Sequence, residues 1–202
     1  MSSFSDLSLP AYLDRLADKS PVPGGGSVAG VVGASGAALA AMVLRYSIGK
    51  KSLLEHDPAL RDALARVERA RALFLALADE DARAYEPLNA AFRLPEPERA
   101  AAIARAAALA ILPPRHTLAA ASDALRLLES LPSITNKQLH SDLAIAAVLL
   151  DSAARSSRWN IAVNLPLLSE AAARESIERE SNELLASCAR RCAMIESACR
   201  TT

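Results

Sequence analysis

Apolar residues recur three and four positions apart over most of the chain, the spacing of amphipathic helices, and no stretch alternates β-branched with polar residues as a strand would. Punctuation between the periodic segments predicts an all-α, single-domain bundle of about seven helices over residues 1–202, with no internal repeat. The first runs over 9–19, with Leu13, Leu16 and Ala17 facing inward and Asp14 and Arg15 outward. It stops at the loop Pro21-Val22-Pro23-Gly24-Gly25-Gly26, and a Gly/Ala-rich helix follows to about residue 48. Gly49 is placed to end that helix in the position past the C-cap that glycine favours. Asp57 before Pro58 reads as an N-cap and first-turn proline, opening a long third helix to residue 85 or beyond, where Pro87 forces a kink or stop. Pro95 and Pro97 open a fourth helix to 112, and Pro113-Pro114 breaks it. A fifth covers 116–131, a sixth 141–158, a short segment interrupted by Pro166 covers 160–169, and the last spans 169–200.

Composition strengthens the helical reading. Ala (44) and Leu (31) lead a chain in which aromatics are only 3%, and these two residues head the helix-propensity scale. Lys and Arg (23) balance Asp and Glu (23), so no cationic excess exists to displace counterions from a nucleic-acid backbone. A nucleic-acid partner is not expected. The first twenty residues carry Asp6, Asp14 and Asp18 and lack a basic region followed by an apolar stretch, unlike a secretory signal.

Two features need weighing before any chemistry. Positions 26–44 hold no charge, just enough length for a membrane span. Their content is mostly Gly, Ala, Ser and Val, however, which inserts poorly. Gly26, Gly30, Gly33, Ala37 and Ala40 or Ala41 form a smooth stripe suited to close helix contact, either in a buried helix or across a subunit interface. Cys188, Cys192 and Cys199 lie on one face of the last helix and read as small buried hydrophobes of a reduced, cytoplasmic protein. That reading leaves no role for a metal, and none is expected.

Four features carry candidate chemistry. The Pro23-Gly24-Gly25-Gly26-Ser27 run leads straight into a helix, where backbone N–H groups and the helix dipole favour an anion or carbonyl oxygen. It fits neither a dinucleotide fingerprint nor a P-loop, and the alternative is a plain flexible connector. Asp81 shares an apolar stripe with Leu77, Tyr85, Phe74 and Leu88. A carboxylate there must be paired or have its pKa shifted, which makes it either a general acid/base or the partner of a core cation or helix end. Asp79 and Glu80 point elsewhere. Asp142 lies on an apolar face beside Ser141, but it also suits the first turn of its helix, where acidic residues are common. Asn160 and Asn164, four apart beside Trp159, offer donors and acceptors to a heterocycle edge, or serve as caps. Lys50 and Lys51 sit in a loop, facing either a ligand carboxylate or water.

The order of these features resembles the formiminotetrahydrofolate cyclodeaminase / methenyltetrahydrofolate cyclohydrolase family. The resemblance rests on Pro-x-Pro-Gly-Gly-Gly-Ser, a Gly/Ala helix ending Ile48-Gly49-Lys50-Lys51, then Asp79-Glu80-Asp81-Ala82, Ser141-Asp142 and Asn160-Ile161-x-x-Asn164, and it runs over about residues 9–196. It implies an all-helical homodimer that acts on a tetrahydrofolate derivative without metal or other cofactor, here as a stand-alone cyclodeaminase-type domain. It further implies that Pro23, Gly24, Gly25, Gly26 and Ser27 contact the substrate and that Asp81 handles a proton. Asp142, Asn160 and Asn164 would support the site, and Lys50 or Lys51 would meet the folate glutamate. Three stretches depart from the family pattern: Val22, Arg45-Tyr46-Ser47 and Pro166-Leu167. They motivate a competing reading, a catalytically silent folate-binding or interaction scaffold.

Overall fold

The computed structural model describes residues 3–200. Among them are seven α-helices and no strand: α1 (Leu9–Ala17), α2 (Gly25–Ser47), α3 (Asp57–Ala91), α4 (Glu98–Ala110), α5 (Leu112–Leu128), α6 (His140–Asn164) and α7 (Ala171–Arg200). Short 3-10 turns cover Phe4–Asp6, Lys51–His56, Lys137–Leu139 and Leu165–Leu167.

α2 is the axle of the bundle, packed against α3, α5 and α6. Its glycines make this possible. A Cβ on Gly30 would stand 2.7 Å from the Phe74 carbonyl oxygen, one on Gly33 2.6 Å from the Phe74 ring, and one on Gly36 3.0 Å from the Ala146 carbonyl oxygen. The small-residue stripe is therefore consumed by α3 and α6 of the same chain, and does not supply the subunit contact considered above. α2 is apolar and long enough to cross a membrane by composition, with a mean hydropathy of 1.9, yet 61% of that window is buried inside the protein. The order of these contacts sets both neighbours antiparallel to α2: Gly25 lies by Asn160 and Gly36 by Ala146, while Gly30 lies by Ala78.

The main core is aliphatic apart from Phe74: Leu44, Leu60, Phe74, Leu118, Leu125, Leu128, Leu143, Leu150, Ile161 and Ile195 are all fully buried. Each such side chain contributes roughly 1.5–3 kcal/mol of transfer free energy. A second, smaller core of Phe4, Tyr12, Val22, Ala78 and Ala82 sits under the glycine loop. Here α1 turns differently from the expectation: Tyr12 is buried and Leu13 is half exposed. The Tyr12 ring meets Phe4 edge-on at 5.9 Å, and its hydroxyl bonds the Ser27 hydroxyl at 3.1 Å, an anchor no leucine could supply.

Helix ends depart from the expected boundaries for identifiable reasons. α3 continues through Pro87 to Ala91 because Leu88 and Ala91 still bury their side chains, and that packing outweighs a local proline penalty of about 3 kcal/mol. Pro113 and Pro114 start α5 at Leu112 rather than only ending α4, since the first turn needs no N–H donors. Asp57 is the first residue of α3, not its cap, and its carboxylate accepts the Gly49 N–H at 2.7 Å. Gly49 has φ +78°, the left-handed geometry expected after a helix end. α6 does not stop at Arg158; it runs unbroken to Asn164, and Pro166 lies just beyond it.

Candidate active site

The loop 21–24 and the first turn of α2 form one rim of a cleft of about 180 Å³, closed by α3, α4 and α6. Pro21, Val22 and Gly24–Gly26 border it from the loop side, Asp81 and Tyr85 from α3, Ala110 from the end of α4, and Asn160, Val163 and Asn164 from α6. Gly24 caps α2 without a side chain, so the cap itself leaves the N–H groups of the first turn open.

Asp81 reaches the cleft because Gly26 has no side chain. A Cβ on Gly26 would lie 2.1 Å from the Asp81 carboxyl carbon, inside the carboxylate itself. Among the described residues Asp81 has no hydrogen-bond or ion-pair partner. Burial pushes its pKa up to about 6. Its neighbour Asp79 does other work, accepting the Phe4 N–H at 2.7 Å and the Ser3 hydroxyl, and so tying the N-terminal segment to α3. This segment supports the glycine loop from beneath, through Phe4, Tyr12 and Val22.

The two asparagines stand one turn apart on α6. Asn160 donates from its amide to the Ser156 carbonyl at 3.1 Å, and Asn164 donates to the Asn160 carbonyl at 2.9 Å. Each thus spends part of its amide on its own helix and keeps its side-chain oxygen as an acceptor. The Asn160 oxygen lies 3.6 Å from where a Cβ of Gly25 would be. Oxygen acceptors, backbone N–H donors and a protonatable carboxylate thus face one small space.

The structure brings Gly24, Gly25, Gly26, Asp81, Asn160 and Asn164 together. Pro23 is buried behind the loop, and Ser27 is turned away toward Tyr12. Lys50, Lys51 and Asp142 lie elsewhere. The two lysines follow the C-terminal end of α2, roughly 34 Å along its axis from Gly25, and Asp142 is in the first turn of α6, about as far from Asn164. Within one chain these three do not reach the cleft. Tyr85, Ala110 and Val163 line it without having been singled out; Tyr85 was signalled only by its spacing of four from Asp81.

Residues 8–183 match the model of the formiminotransferase-cyclodeaminase family. The chain belongs to that family. It is 31% identical to a methenyltetrahydrofolate cyclohydrolase of Methylorubrum extorquens, covering 89% of each chain. It is also 31% identical to the formimidoyltransferase-cyclodeaminase of Rattus norvegicus, where 91% of this chain matches 35% of the longer protein. The formiminotetrahydrofolate cyclodeaminase of Thermotoga maritima has the same fold, with a TM-score of 0.91, 29% identity and 98% of both chains aligned. Of the residues that depart from the family pattern, Val22 borders the cleft, and the others lie outside its lining. Arg45 is ion-paired with Glu68, Ser47 accepts the Asn136 N–H at 2.9 Å, Val22 is buried in the small core, and Pro166 sits in the turn after Asn164.

Proposed function

We propose that this family member acts at the one-carbon bridge between N5 and N10 of a tetrahydrofolate derivative, as a methenyltetrahydrofolate cyclohydrolase or a formiminotetrahydrofolate cyclodeaminase. The observation that carries the reading is the Asp81 carboxylate, without a partner among the described residues and set into the gap left by Gly26 at the N-terminal end of α2. In the hydrolase direction, water adds to the bridging carbon and the ring opens to the 10-formyl compound. In the deaminase direction, N10 adds to the formimino carbon and ammonia leaves. Each reaction passes through a tetrahedral carbon between two nitrogens and needs a proton taken from one atom and delivered to another. A carboxyl group with a pKa of about 6 can do either near neutrality, a contribution typically of 10²–10⁴-fold. The asparagine oxygens suit the N–H edge of the pterin, and the first-turn N–H groups of α2 suit its carbonyl.

The test is near-ultraviolet absorbance with each substrate in turn. Loss of the methenyl band faster than the blank identifies the hydrolase, and growth of that band from 5-formiminotetrahydrofolate identifies the deaminase. Two traces that match their blanks overturn the reading in favour of a silent scaffold.

A homodimer and a cytoplasmic location belong to the same reading. The dimer is supported by an exposed apolar stripe along α6, formed by Ile145, Val148, Trp159 and Val163, with Tyr46 at the end of α2. The α6 residues are spaced three, eleven and four apart, all close to whole numbers of helical turns, so they share one face. Val163 also lines the cleft, which places the edge of this face at the site.

A further inference from the structure

Asp142 lies at the far end of α6 from the cleft of its own chain, half-buried and, among the described residues, without a hydrogen bond or ion pair. The exposed stripe on the same helix gives this position another meaning. Ile145 and Val163 stand nine residues to either side of Ala154, and Val148 and Trp159 stand six and five. The stripe therefore reads the same in both directions. A second α6 laid antiparallel across it sets Ile145 against Val163 and Val148 against Trp159, the self-complementarity that a two-fold contact requires. Between these pairs stand Ser152 and Ser156, whose hydroxyls turn back to the Val148 and Ser152 carbonyls at 2.8 Å. Short side chains thus occupy the centre, where two helices come closest. Arg155 lies toward one flank and is paired with Asp151 of its own helix at 2.6 Å.

We propose that Asp142 of the partner subunit completes the cleft, its carboxylate accepting from the N–H edge of the substrate's heterocycle beside Asn160 and Asn164. The inference rests on the folate reading and on the dimer, and deepens both. At about 1.5 Å per residue, Asn164 lies roughly 15 Å along α6 from the two-fold axis and Asp142 roughly 18 Å on the other side. The antiparallel partner therefore carries its Asp142 to within roughly 3 Å of Asn164 along the helix direction. The flank agrees as well. Asp142 and Asn160 are eighteen residues apart, five whole turns, so both project to the same side of the stripe, and Asn164 follows one turn on. A two-fold axis perpendicular to the paired helices keeps that side common to both subunits. Packed helix axes stand about 8–10 Å apart, a gap that a carboxylate side chain and a bound ring can span. A charged acceptor also bonds N–H donors more strongly than an amide oxygen does.

The experiment combines two damaged subunits. Asp81→Asn and Asp142→Ala each lower turnover as homodimers, the second by about 10–100-fold in kcat/KM, the scale of one charge-assisted hydrogen bond. Co-expressed with different affinity tags and purified through both, the mixed dimer has one site with Asp81 and Asp142 intact and one site with both substituted. It should regain about half of the wild-type kcat/KM, because one of its two equivalent sites is whole. Circular-dichroism melts and light scattering confirm folded dimers, and Asp142→Asn repeats the measurement with the side-chain shape kept. A mixed dimer no more active than the mean of its parents, an Asp142→Ala protein with wild-type kcat/KM, or a wild-type protein active as a monomer overturns this inference alone. Wild-type protein that turns over neither 5,10-methenyltetrahydrofolate nor 5-formiminotetrahydrofolate overturns the folate reading itself, and this inference with it.

Discussion

The carboxylate of Asp81 occupies the place where any other residue at position 26 would put its Cβ. One position is thus defined by the lack of a side chain, and the other by a carboxylate that has no partner among the described residues.

That relationship makes Gly26 a positioning residue. In Gly26→Ala the added methyl must displace the whole carboxylate, since the overlap reaches the carboxyl carbon at 2.1 Å and not just one oxygen. Alanine is otherwise a good residue in the first turn of a helix, so the fold should persist. The expected result is a loss of about 10²-fold in kcat, the scale of a misplaced reacting group, with a melting temperature within a few degrees of wild type. Retained turnover in a folded Gly26→Ala protein would show that Asp81 has no role in the chemistry.

Asp81 should also leave a signature in stability against pH. Its folded-state pKa of about 6 stands above the ordinary value of 3.8, so the folded protein holds this proton more tightly than the unfolded chain. Stability from this group is complete below pH 3.8 and is lost as pH rises through 6. The loss is of order 2–3 kcal/mol, from about two pKa units. Asp81→Asn removes the charge and should therefore be more stable than wild type at pH 7 while losing 10²–10⁴-fold in turnover. Denaturant titrations at pH 4 and pH 7 check the first point. The rate profile separates the two reactions: a carboxylate taking a proton from water gives activity rising through pH 6, and an acid delivering one to departing ammonia gives activity falling through it.

The limits of the sequence are instructive at this site. Helical spacing set Asp81 on an apolar stripe, and the glycine run announced a backbone-lined loop, because both signals are local. Spacing reports which face a residue occupies but not which end of an antiparallel bundle that face belongs to. Asp142 lies on α6 and Lys50 just past α2, two elements that reach the cleft, but both at the wrong end for it. The same limit hid Ala110 and Val163, whose chemistry is unremarkable and whose importance is their location. Pro166 misled in another way. Its position predicts a break in the asparagine segment, but proline constrains the residues before it only locally, and α6 carries both asparagines to its last turn before the chain bends.

The small core under the glycine loop should couple stability to catalysis. Tyr12 and Ser27 share a buried hydrogen bond of 3.1 Å. Tyr12→Phe leaves the Ser27 hydroxyl buried without that partner, at about 1–2 kcal/mol. Ser27→Ala makes the reciprocal loss. Because the two act through one bond, the double variant should cost less than the sum of the single ones. Strict additivity in urea titrations would mean the bond contributes nothing. Since this pair anchors the first turn of α2, each single variant should also lower kcat/KM.

Trp159 gives the last prediction a built-in reporter, because it is the sole tryptophan in the chain and 75% of its surface is exposed in one subunit. Covering the α6 stripe with a second copy would move the indole from water into an apolar contact. Emission should therefore lie to the blue at micromolar protein and shift to the red on dilution, in step with the fall to monomer mass by light scattering. Val148, one of the exposed residues on the same stripe, is the position to break it: Val148→Asp places a charge in the interface, where an unpaired ion is costly to desolvate. This variant should be monomeric and red-shifted at every concentration. Because Val163 joins the stripe to the cleft, Val148→Asp should also raise KM more than it lowers kcat. An emission maximum that stays constant across a thousandfold dilution, with monomer mass throughout, rules the dimer out.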